Sequence, residues 1–167
     1  MINIIKGDLL TAKGYILHQV NCRGSMGAGV AKAIKKKWPI VFEEYMRVMT
    51  PVSGNASFTE VVRLRMFGKC QVVDTDKADP EAPQVVNLFS QWNYGRSASR
   101  YTSYDKLDSA LAQFVSLYLA TQPFEKVVIN FPLIGCGLGG AHWPIVREII
   151  EHRLPDDICI KNLYILP

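Results

Sequence analysis

The sequence predicts an α/β fold in which a mixed, largely parallel central sheet carries helices on both faces. Three observations lead to this prediction. Short apolar runs typical of buried strands alternate along the chain with segments whose apolar residues recur at helical spacing. Two of these runs lead through glycine-rich loops into helices. The chain has 167 residues, 49% of them hydrophobic and 20% charged, which suits one domain over residues 1–167 with a sizeable core.

The first half of the chain predicts strands and helices in turn. In the first helix, Val30, Ile34 and Trp38 recur every four residues and share a face, and Pro39 interrupts the pattern. The expected elements are, in order, strands at 2–5 and 15–20, a glycine-punctuated loop at 21–27, the helix that follows it, a second helix at 40–49, a turn-rich break at 51–55, and two strands within 61–74 around Gly68.

The second half of the chain continues the alternation, without internal repeats or linkers. Its clearest helix spans residues 104–120, where Leu107, Leu111 and Tyr118 belong to one apolar stripe. The expected elements are a strand at 84–89, a loop at 90–103, this helix, a strand at 126–131, a second glycine-rich loop at 132–140, a helix with Val146, Ile149 and Ile150 facing the core, and a last strand at 158–166.

Composition narrows the classes of function. The net charge of +4 is compatible with an anionic small ligand and lies far below the charge density of a dedicated nucleic-acid binder. The four cysteines form no CxxC pair, so we expect reduced thiols and no metal site. No apolar run reaches membrane-spanning length and the start of the chain has no secretory signal pattern. We therefore expect a cytoplasmic protein without a membrane partner.

Two segments share a strand–loop–helix design: YILHQV-NCRGSMGAG-VAKAIKKKW and KVVINF-PLIGCGLGG-AHWPIVREII. Glycines let backbone N–H groups approach a phosphate, and a helix N-terminus adds a favourable dipole. Two such loops could enclose a diphosphate from both sides. Either loop alone could equally be ordinary turn geometry, and neither matches the P-loop or the dinucleotide-binding fingerprint.

Three motifs in this order resemble those of the macrodomain family: Lys6-Gly7-Asp8-Leu9, the run from Asn21 to Ala31 (NCRGSMGAGVA), and the run from Pro132 to Leu138 (PLIGCGL). The resemblance covers nearly the whole chain. It is closest to the branch that includes the fungal ADP-ribose 1''-phosphate phosphatase and the terminal ADP-ribose glycohydrolases. It implies a three-layer α/β/α macrodomain that binds ADP-ribose or a derivative. Because the sequence shows no cluster of metal ligands, we expect no metal, and we expect no cofactor.

The resemblance also implies binding roles. Asp8 would accept a hydrogen bond from the adenine amino group, although a turn or cap role is the alternative. Asn21 would touch the distal ribose, or else adopt a left-handed turn. The loop amides would hold the phosphates. The full set expected to bind ligand is Gly7, Asp8, Leu9, Asn21, Gly27, Ala28, Gly29, Val30, Phe89, Ser90, Pro132, Gly135, Cys136, Gly137, Leu138 and Gly139.

Catalysis is expected of His18, Asn21, Ser90 and Gln91. The fungal phosphatase has a histidine at the place matching His18, and an imidazole can move a proton near neutral pH. The alternative is a hydrogen-bonded core histidine. Gln91 and Gly139 stand where the glycohydrolases carry a lysine and an aspartate, so a lysine Schiff base is absent here.

The segment 90–103 holds aromatic and basic residues that could cover the distal ribose, with Ser90 and Gln91 orienting a water and Arg96 or Arg100 meeting an added phosphate. A solvated surface loop is the alternative. Three functions remain open at this point: release of phosphate from ADP-ribose 1''-phosphate, removal of ADP-ribose from modified protein or nucleic acid, and non-catalytic recognition of ADP-ribose.

Overall fold

The computed structural model describes residues 1–51, 56–120 and 125–167, so most of the turn expected at 51–55 lies outside it. Six strands form one sheet in these residues. They are β1 (Ile2–Lys6), β2 (Tyr15–Asn21), β3 (Cys70–Asp74), β4 (Gln84–Gln91), β5 (Val127–Phe131) and β6 (Cys159–Ile165).

The strand order in the sheet is β1-β6-β5-β2-β4-β3. Every neighbouring pair is parallel except β3 and β4, which run antiparallel. The prediction of a mixed, largely parallel sheet is therefore confirmed. The carboxyl ends of the five parallel strands meet at one edge, where ligands bind in open sheets of this kind.

Five α-helices in the described ranges cover the two faces of the sheet: α1 (Gly29–Lys37), α2 (Pro39–Met49), α3 (Ala56–Met66), α4 (Tyr104–Phe114) and α5 (Trp143–Arg153). Pro39 begins α2 at a position where its missing N–H costs no helical hydrogen bond. Ser103 caps α4 by accepting a hydrogen bond from the Lys106 backbone N–H over 3.4 Å. Helices α2 and α4 thus begin at residues suited to a helix N-terminus.

Two apolar cores result from the alternation of side chains along the strands. Ile16 and Val20 of β2 pack with α1 and α2 on one face, whereas Leu17 packs with α4 and α5 on the other. The same alternation on β4 sends Val85 and Phe89 to the first core and Val86 and Leu88 to the second. This arrangement confirms the three-layer α/β/α fold.

The prediction of a strand in the first part of 61–74 is wrong, because residues 56–66 form α3. The run Val61 to Met66 alternates apolar and arginine residues in a way that imitates the period of a strand. Its Leu, Arg and Met residues favour a helix, and α3 lies on the surface with no fully buried residue. Propensity therefore outweighed the alternation. Beyond Gly68 the expected strand is present as β3.

Two further boundaries differ from the sequence prediction. The helix expected at 104–120 changes to a π-helical turn at Val115–Leu119, with the Ala120 N–H bonded to the Val115 carbonyl over 2.9 Å. Strand β4 extends through Ser90 and Gln91, which were expected in a loop. Gln91 then forms a bridge with Thr102, so the ends of the segment 90–103 are tied together.

None of the helices in the described parts of the chain combines the length and the apolar character of a membrane span.

Candidate ligand-binding cleft

A cleft of about 960 Å³ opens at the carboxyl edge of the parallel strands. Its walls come from the turn after β1, the end of β2, both glycine-rich loops, the first turns of α1, and the residues that follow β4. The C-terminal end of β6 and Leu166 close one end. The volume falls in the range typical of small-molecule sites.

The structure brings most of the predicted site residues together in this cleft. His18, Asn21 and Gln91 of the expected catalytic set line it. The expected ligand-binding residues that line it are Gly7, Asp8, Leu9, Asn21, Gly27, Ala28, Gly29, Val30, Pro132, Gly135, Cys136, Gly137, Leu138 and Gly139.

Phe89 and Ser90 are the two predicted residues that do not line the cleft within the described structure. The Phe89 side chain is fully buried and stacks on Tyr45, with the ring centroids 5.8 Å apart. The Ser90 hydroxyl is also buried and donates to the Gln19 side-chain oxygen over 3.0 Å. Phe89 lies on β4 as expected, with its side chain in the first core, whereas Ser90 lies on β4 rather than in a loop, with its hydroxyl bonded to Gln19.

The first glycine-rich loop is held in shape by Asn21 and Tyr45. The Asn21 side chain donates to the Ser25 carbonyl over 2.7 Å and accepts from the Arg23 N–H over 2.9 Å. The Tyr45 hydroxyl accepts from the Gly24 N–H over 2.9 Å. No non-glycine residue in the described ranges has a positive φ, so the left-handed alternative for Asn21 is wrong. Asn21 instead orders the loop in which it lies.

Helix α1 begins directly at the cleft. Its N-cap residue, Ala28, makes no side-chain capping hydrogen bond, so the first N–H groups of the helix are not satisfied by a capping side chain. Gly29 has φ +56° and a Cβ placed on it would meet no atom within 4 Å. The backbone there is thus exposed to whatever enters the cleft, at the positive end of the helix dipole.

The second glycine-rich loop turns tightly against Thr102. A Cβ on Gly135 would lie 2.6 Å from Thr102 Oγ1, and one on Gly139 would lie 2.5 Å from the same atom. The Cys136 N–H is bonded to the Leu133 carbonyl over 3.1 Å, so this amide is occupied. In the described structure the N–H groups of Gly135, Gly137, Leu138 and Gly139 have no such partner.

Gln19 was missed by the sequence analysis, which took it as an ordinary strand residue. Its side-chain NH₂ donates to Gln91 Oε1 over 2.6 Å and to Thr102 Oγ1 over 3.1 Å. The Tyr101 and Thr102 N–H groups in turn donate to the Gly139 carbonyl over 2.9 and 3.0 Å. Gln19 therefore joins β2, β4 and the second loop. An amide preceding a predicted loop carries no signal that distinguishes it in a single sequence.

The segment after β4 contributes one of its two arginines to the cleft. Arg96 lines it, together with Tyr94 and Gly95. Arg100 lies over the Tyr104 ring, with its guanidinium carbon 4.2 Å from the centroid. Only Arg96 of this pair is placed to meet an added phosphate.

Asp8 takes the capping role considered for it and, among the described residues, leaves one carboxylate oxygen free at the cleft. Its Oδ1 accepts a hydrogen bond from the Leu10 N–H over 2.9 Å and caps the short 3₁₀ helix Leu9–Thr11. The residue is exposed at the rim of the cleft. Within the described residues, its second carboxylate oxygen has no hydrogen-bond partner and faces no competing cation.

His18 is buried, with 1% of its surface exposed, and borders the cleft. Its Nε2 lies 2.6 Å from Asn87 Oδ1, and its Nδ1 has no hydrogen-bond partner among the described residues. Burial lowers the pKa of His18 to about 4, against a smaller opposing effect of the Asn87 hydrogen bond. The imidazole is therefore neutral at pH 7 in the unliganded protein.

All four cysteines are free thiols. Burial raises the pKa of Cys22 to about 12 and the pKa of Cys159 to about 11, so these thiols are poor nucleophiles. No group of three or more potential metal ligands occurs among the residues that the structure describes.

Comparison with known proteins agrees with this geometry. The family model described as Macro domain matches residues 17–150. The chain is similar to the ADP-ribose 1''-phosphate phosphatase of Meyerozyma guilliermondii, with 27% identity over an alignment of 188 residues, gaps included. The alignment covers 99% of this chain and 98% of that protein. It is also similar to the DNA ADP-ribosyl glycohydrolase of Mycobacterium tuberculosis, with 29% identity over 155 residues, covering 92% of this chain and 38% of that protein.

Solved structures share the fold. The macrodomain of Mycobacterium tuberculosis DarG gives a TM-score of 0.71 at 22% identity and covers 100% of this chain and 97% of that chain. Thermosipho africanus DarTG in complex with ADP-ribose gives a TM-score of 0.68 at 20% identity, covering 99% of this chain and 41% of that chain. Because the family model spans most of the chain and the fold and motifs agree, this protein belongs to the Macro domain family.

Proposed function

We propose that this chain binds ADP-ribose in the cleft and hydrolyses ADP-ribose 1''-phosphate to ADP-ribose and phosphate, without a metal ion. The observation that carries the proposal is the meeting of both glycine-rich loops, with unoccupied backbone N–H groups, beside a buried neutral histidine in one cleft. The similarity to the Meyerozyma guilliermondii phosphatase, which extends over 99% of this chain, supports the same substrate.

The strand order gives the cleft a direction. Asp8 follows β1 and Tyr164 lies on β6, at one edge of the sheet, whereas His18 and Gln91 lie on β2 and β4. Neighbouring strands are about 4.8 Å apart, so these two ends are separated by roughly 15–20 Å. This length suits a ligand with two sugars joined by a diphosphate. We assign the adenosine to the Asp8 end and the distal ribose to the His18 end.

The loops between the two ends supply the phosphate contacts. The N–H groups of Gly137, Leu138 and Gly139 approach from one side, and the first turn of α1 approaches from the other. These donors are fixed before the ligand arrives, so they stabilise anionic oxygens at little reorganisation cost. Arg96 would add a bidentate contact to the terminal phosphate.

The chemistry assigned to this site is hydrolysis by water. The water oxygen attacks the phosphorus of the 1''-phosphate, and the bond between phosphorus and the ribose 1'' oxygen breaks. His18 accepts a proton from the water at Nδ1, and that proton passes to the departing ribose oxygen. Asn21 and Gln91 border the same space and would orient the water. No covalent enzyme intermediate is required.

Removal of ADP-ribose from a modified macromolecule is the second candidate function. It is supported by the similarity to the Mycobacterium tuberculosis DNA ADP-ribosyl glycohydrolase. Tyr94, at the distal wall, is also half exposed, so this end of the cleft reaches the surface. A protein that recognises ADP-ribose without turnover would use the same loops.

The four free cysteines fit a reducing compartment, and we propose that the protein acts in the cytoplasm.

A panel of three substrates distinguishes these functions. The protein is incubated with ADP-ribose 1''-phosphate, ADP-ribosylated protein and ADP-ribosylated DNA, with and without a chelator. Phosphate release from the first substrate, unchanged by the chelator, supports the proposal. Release of free ADP-ribose from the modified protein or the modified DNA, without phosphate release from the first substrate, supports the second function. Binding without turnover on all three leaves recognition only, and turnover that stops on chelation contradicts a metal-independent reaction.

A further inference from the structure

Three polar side chains cross the apolar face of the sheet in register. His18 on β2 is the partner of Asn87 on β4, and Asn87 is the partner of Gln71 on β3. His18 Nε2 lies 2.6 Å from Asn87 Oδ1, and Asn87 Nδ2 donates to Gln71 Oε1 over 3.0 Å. The Gln71 NH₂ then donates to the backbone carbonyl of Glu44 on α2 over 2.9 Å. These four groups form one continuous hydrogen-bonded row.

The Glu44 carbonyl at the end of the row determines which way each amide side chain in the row points. The Glu44 carbonyl can only accept a hydrogen bond, so the Gln71 NH₂ must face it and the Gln71 oxygen must face Asn87. The Asn87 NH₂ then faces Gln71, which leaves the Asn87 oxygen facing His18. An oxygen acceptor 2.6 Å from Nε2 requires that Nε2 carry the proton.

We infer that Asn87 is a positioning residue that holds His18 as the Nε2–H tautomer, so that Nδ1 presents its lone pair to the ligand in the cleft. Nδ1 is the one ring nitrogen that the row leaves without a partner among the described residues. A buried acceptor without a donor is costly, and a bound water or hydroxyl that donates to it removes that cost. The cleft wall is where such a donor can arrive.

The tautomer decides what His18 can do in the reaction, a consequence that rests on the proposed function. Neutral His18, with an Nδ1 that is unpaired in the described structure, accepts a proton from the attacking water before it can donate one. Asn87 touches neither the cleft nor the substrate, since it is fully buried and absent from the cleft wall in the described structure. Its contribution therefore passes through His18 alone.

The tautomer can be measured in the protein without substrate. A two-bond ¹H–¹⁵N correlation spectrum of uniformly labelled protein at pH 7 distinguishes a protonated ring nitrogen from one with a lone pair. The chain has three histidines, and a His18→Gln variant identifies the signals of His18. We expect His18 to be protonated at Nε2 only. A protonated Nδ1, an even mixture of tautomers or an imidazolium overturns the inference, whether or not the protein is a phosphatase.

Variants separate positioning from stability. Asn87→Leu has nearly the same shape and no acceptor, so His18 should become a mixture of tautomers. We expect kcat to fall by about tenfold or more, which is less than the full rate enhancement that general-base catalysis usually gives. KM and the ADP-ribose Kd should stay within twofold. Asn87→Asp retains an oxygen toward Nε2 and should restore the Nε2–H tautomer.

The matched control is Asn130→Ala. Asn130 is a buried asparagine on β5 whose NH₂ donates to the Lys13 and Tyr15 carbonyls, away from His18. It should lose thermal stability while keeping the wild-type tautomer and kcat. An Asn87→Leu protein that keeps the pure Nε2–H tautomer, or that loses kcat only in proportion to folded protein as the control does, contradicts the positioning role. If Asn87→Leu does not fold, the wild-type spectrum still decides the tautomer.

Discussion

The hydroxyl of Tyr45 on α2 donates a hydrogen bond over 2.8 Å to the backbone carbonyl of Asn21, the last residue of β2. The same oxygen accepts from the Gly24 and Ser25 N–H groups over 2.9 and 3.1 Å. One buried side chain thus fixes the end of the strand and the start of the loop. The loop that borders the cleft is shaped by the core beneath it.

Tyr45→Phe removes these hydrogen bonds without creating a cavity. Because it removes the acceptor of the Gly24 N–H and the nearer of the two acceptors of the Ser25 N–H, we expect the free energy of unfolding to fall by about 1–3 kcal/mol. ADP-ribose binding should weaken severalfold because the loop loses its fixed shape. Tyr104→Phe is the control, since its hydroxyl accepts one bond from the His142 N–H over 2.9 Å outside the cleft. Denaturant unfolding and calorimetry on both variants check the pair, and equal loss of affinity in both would contradict a specific role for Tyr45.

Asp8 is expected to contribute to affinity through its second carboxylate oxygen. Wild-type affinity for ADP-ribose should be micromolar, about −7 to −8 kcal/mol. Asp8→Ala should weaken it by about ten- to a hundredfold, the cost of a charge-assisted hydrogen bond. Asp8→Asn can still cap the Leu10 N–H through its oxygen, but it presents an NH₂ to the adenine amino group and should weaken binding similarly. Calorimetry in which Asp8→Asn binds like wild type would assign the effect of Asp8→Ala to the cap.

Gly137 and Gly139 should respond differently to a side chain. A Cβ on Gly137 meets no atom within 4 Å, so Gly137→Val should leave the fold intact while filling the space assigned to the diphosphate, and ADP-ribose binding should be lost. A Cβ on Gly139 would lie 2.5 Å from Thr102 Oγ1 and 2.6 Å from the Gly135 carbonyl, so Gly139→Ala should lower the melting temperature. Thermal unfolding beside calorimetry tests the contrast. Normal ADP-ribose binding by Gly137→Val would remove the second loop from the site.

Gly29→Val should also abolish binding, for a different reason. Its φ of +56° disfavours a branched side chain, and the space beside it is open to the cleft. We therefore expect a loss of stability of about 1 kcal/mol or more together with the loss of affinity. Gly29→Ala should show the same strain with less obstruction, so an affinity close to wild type in Gly29→Ala and none in Gly29→Val would assign the effect to the volume of the side chain.

His18→Ala should lower turnover by about a hundredfold or more, the usual yield of general acid–base catalysis. The affinity for ADP-ribose should change little because the loop amides and Asp8 carry the binding. The measurement combines kcat, Kd and thermal stability on one preparation. Turnover that falls only in proportion to folded protein would exclude His18 from the reaction and leave Asn21 and Gln91 to orient the water.

The buried imidazole also makes stability depend on pH. The pKa of His18 is lowered to about 4 in the folded protein, below the ordinary value of 6.5 that applies when the chain unfolds. Its stabilising contribution is therefore complete above pH 6.5 and is lost as pH falls toward 4, because only the unfolded chain takes up the proton. Between pH 7 and pH 5, the free energy of unfolding should fall by about 2 kcal/mol more in wild type than in His18→Gln. Urea unfolding at the two pH values measures this difference, and equal slopes would show that His18 is not buried neutral.

The sequence by itself determined the fold class, the order of nearly all strands and helices, and most of the cleft wall. The fold class and the order of the elements follow from local chemistry: apolar periodicity, the break at Pro39, and glycines that open the backbone of both loops. Most of the cleft wall follows from the resemblance of three motifs to the macrodomain family. The motifs also allowed the family to be recognised. Helix α3 was not predicted because six of its residues alternate as in a strand, although their helix propensity opposes that pattern.

Only the tertiary structure decided what the polar side chains do. Ser90 is buried because β4 continues past the expected strand end, and strand continuation depends on pairing with distant residues. Gln19, Tyr45 and Asn87 became important through partners 20 or more positions away along the chain. The pKa of His18 was likewise set by burial, which no sequence pattern states. Local periodicity reflects interactions between residues that are close together in the chain. These roles instead arise from hydrogen bonds and desolvation between residues that meet only when the chain folds.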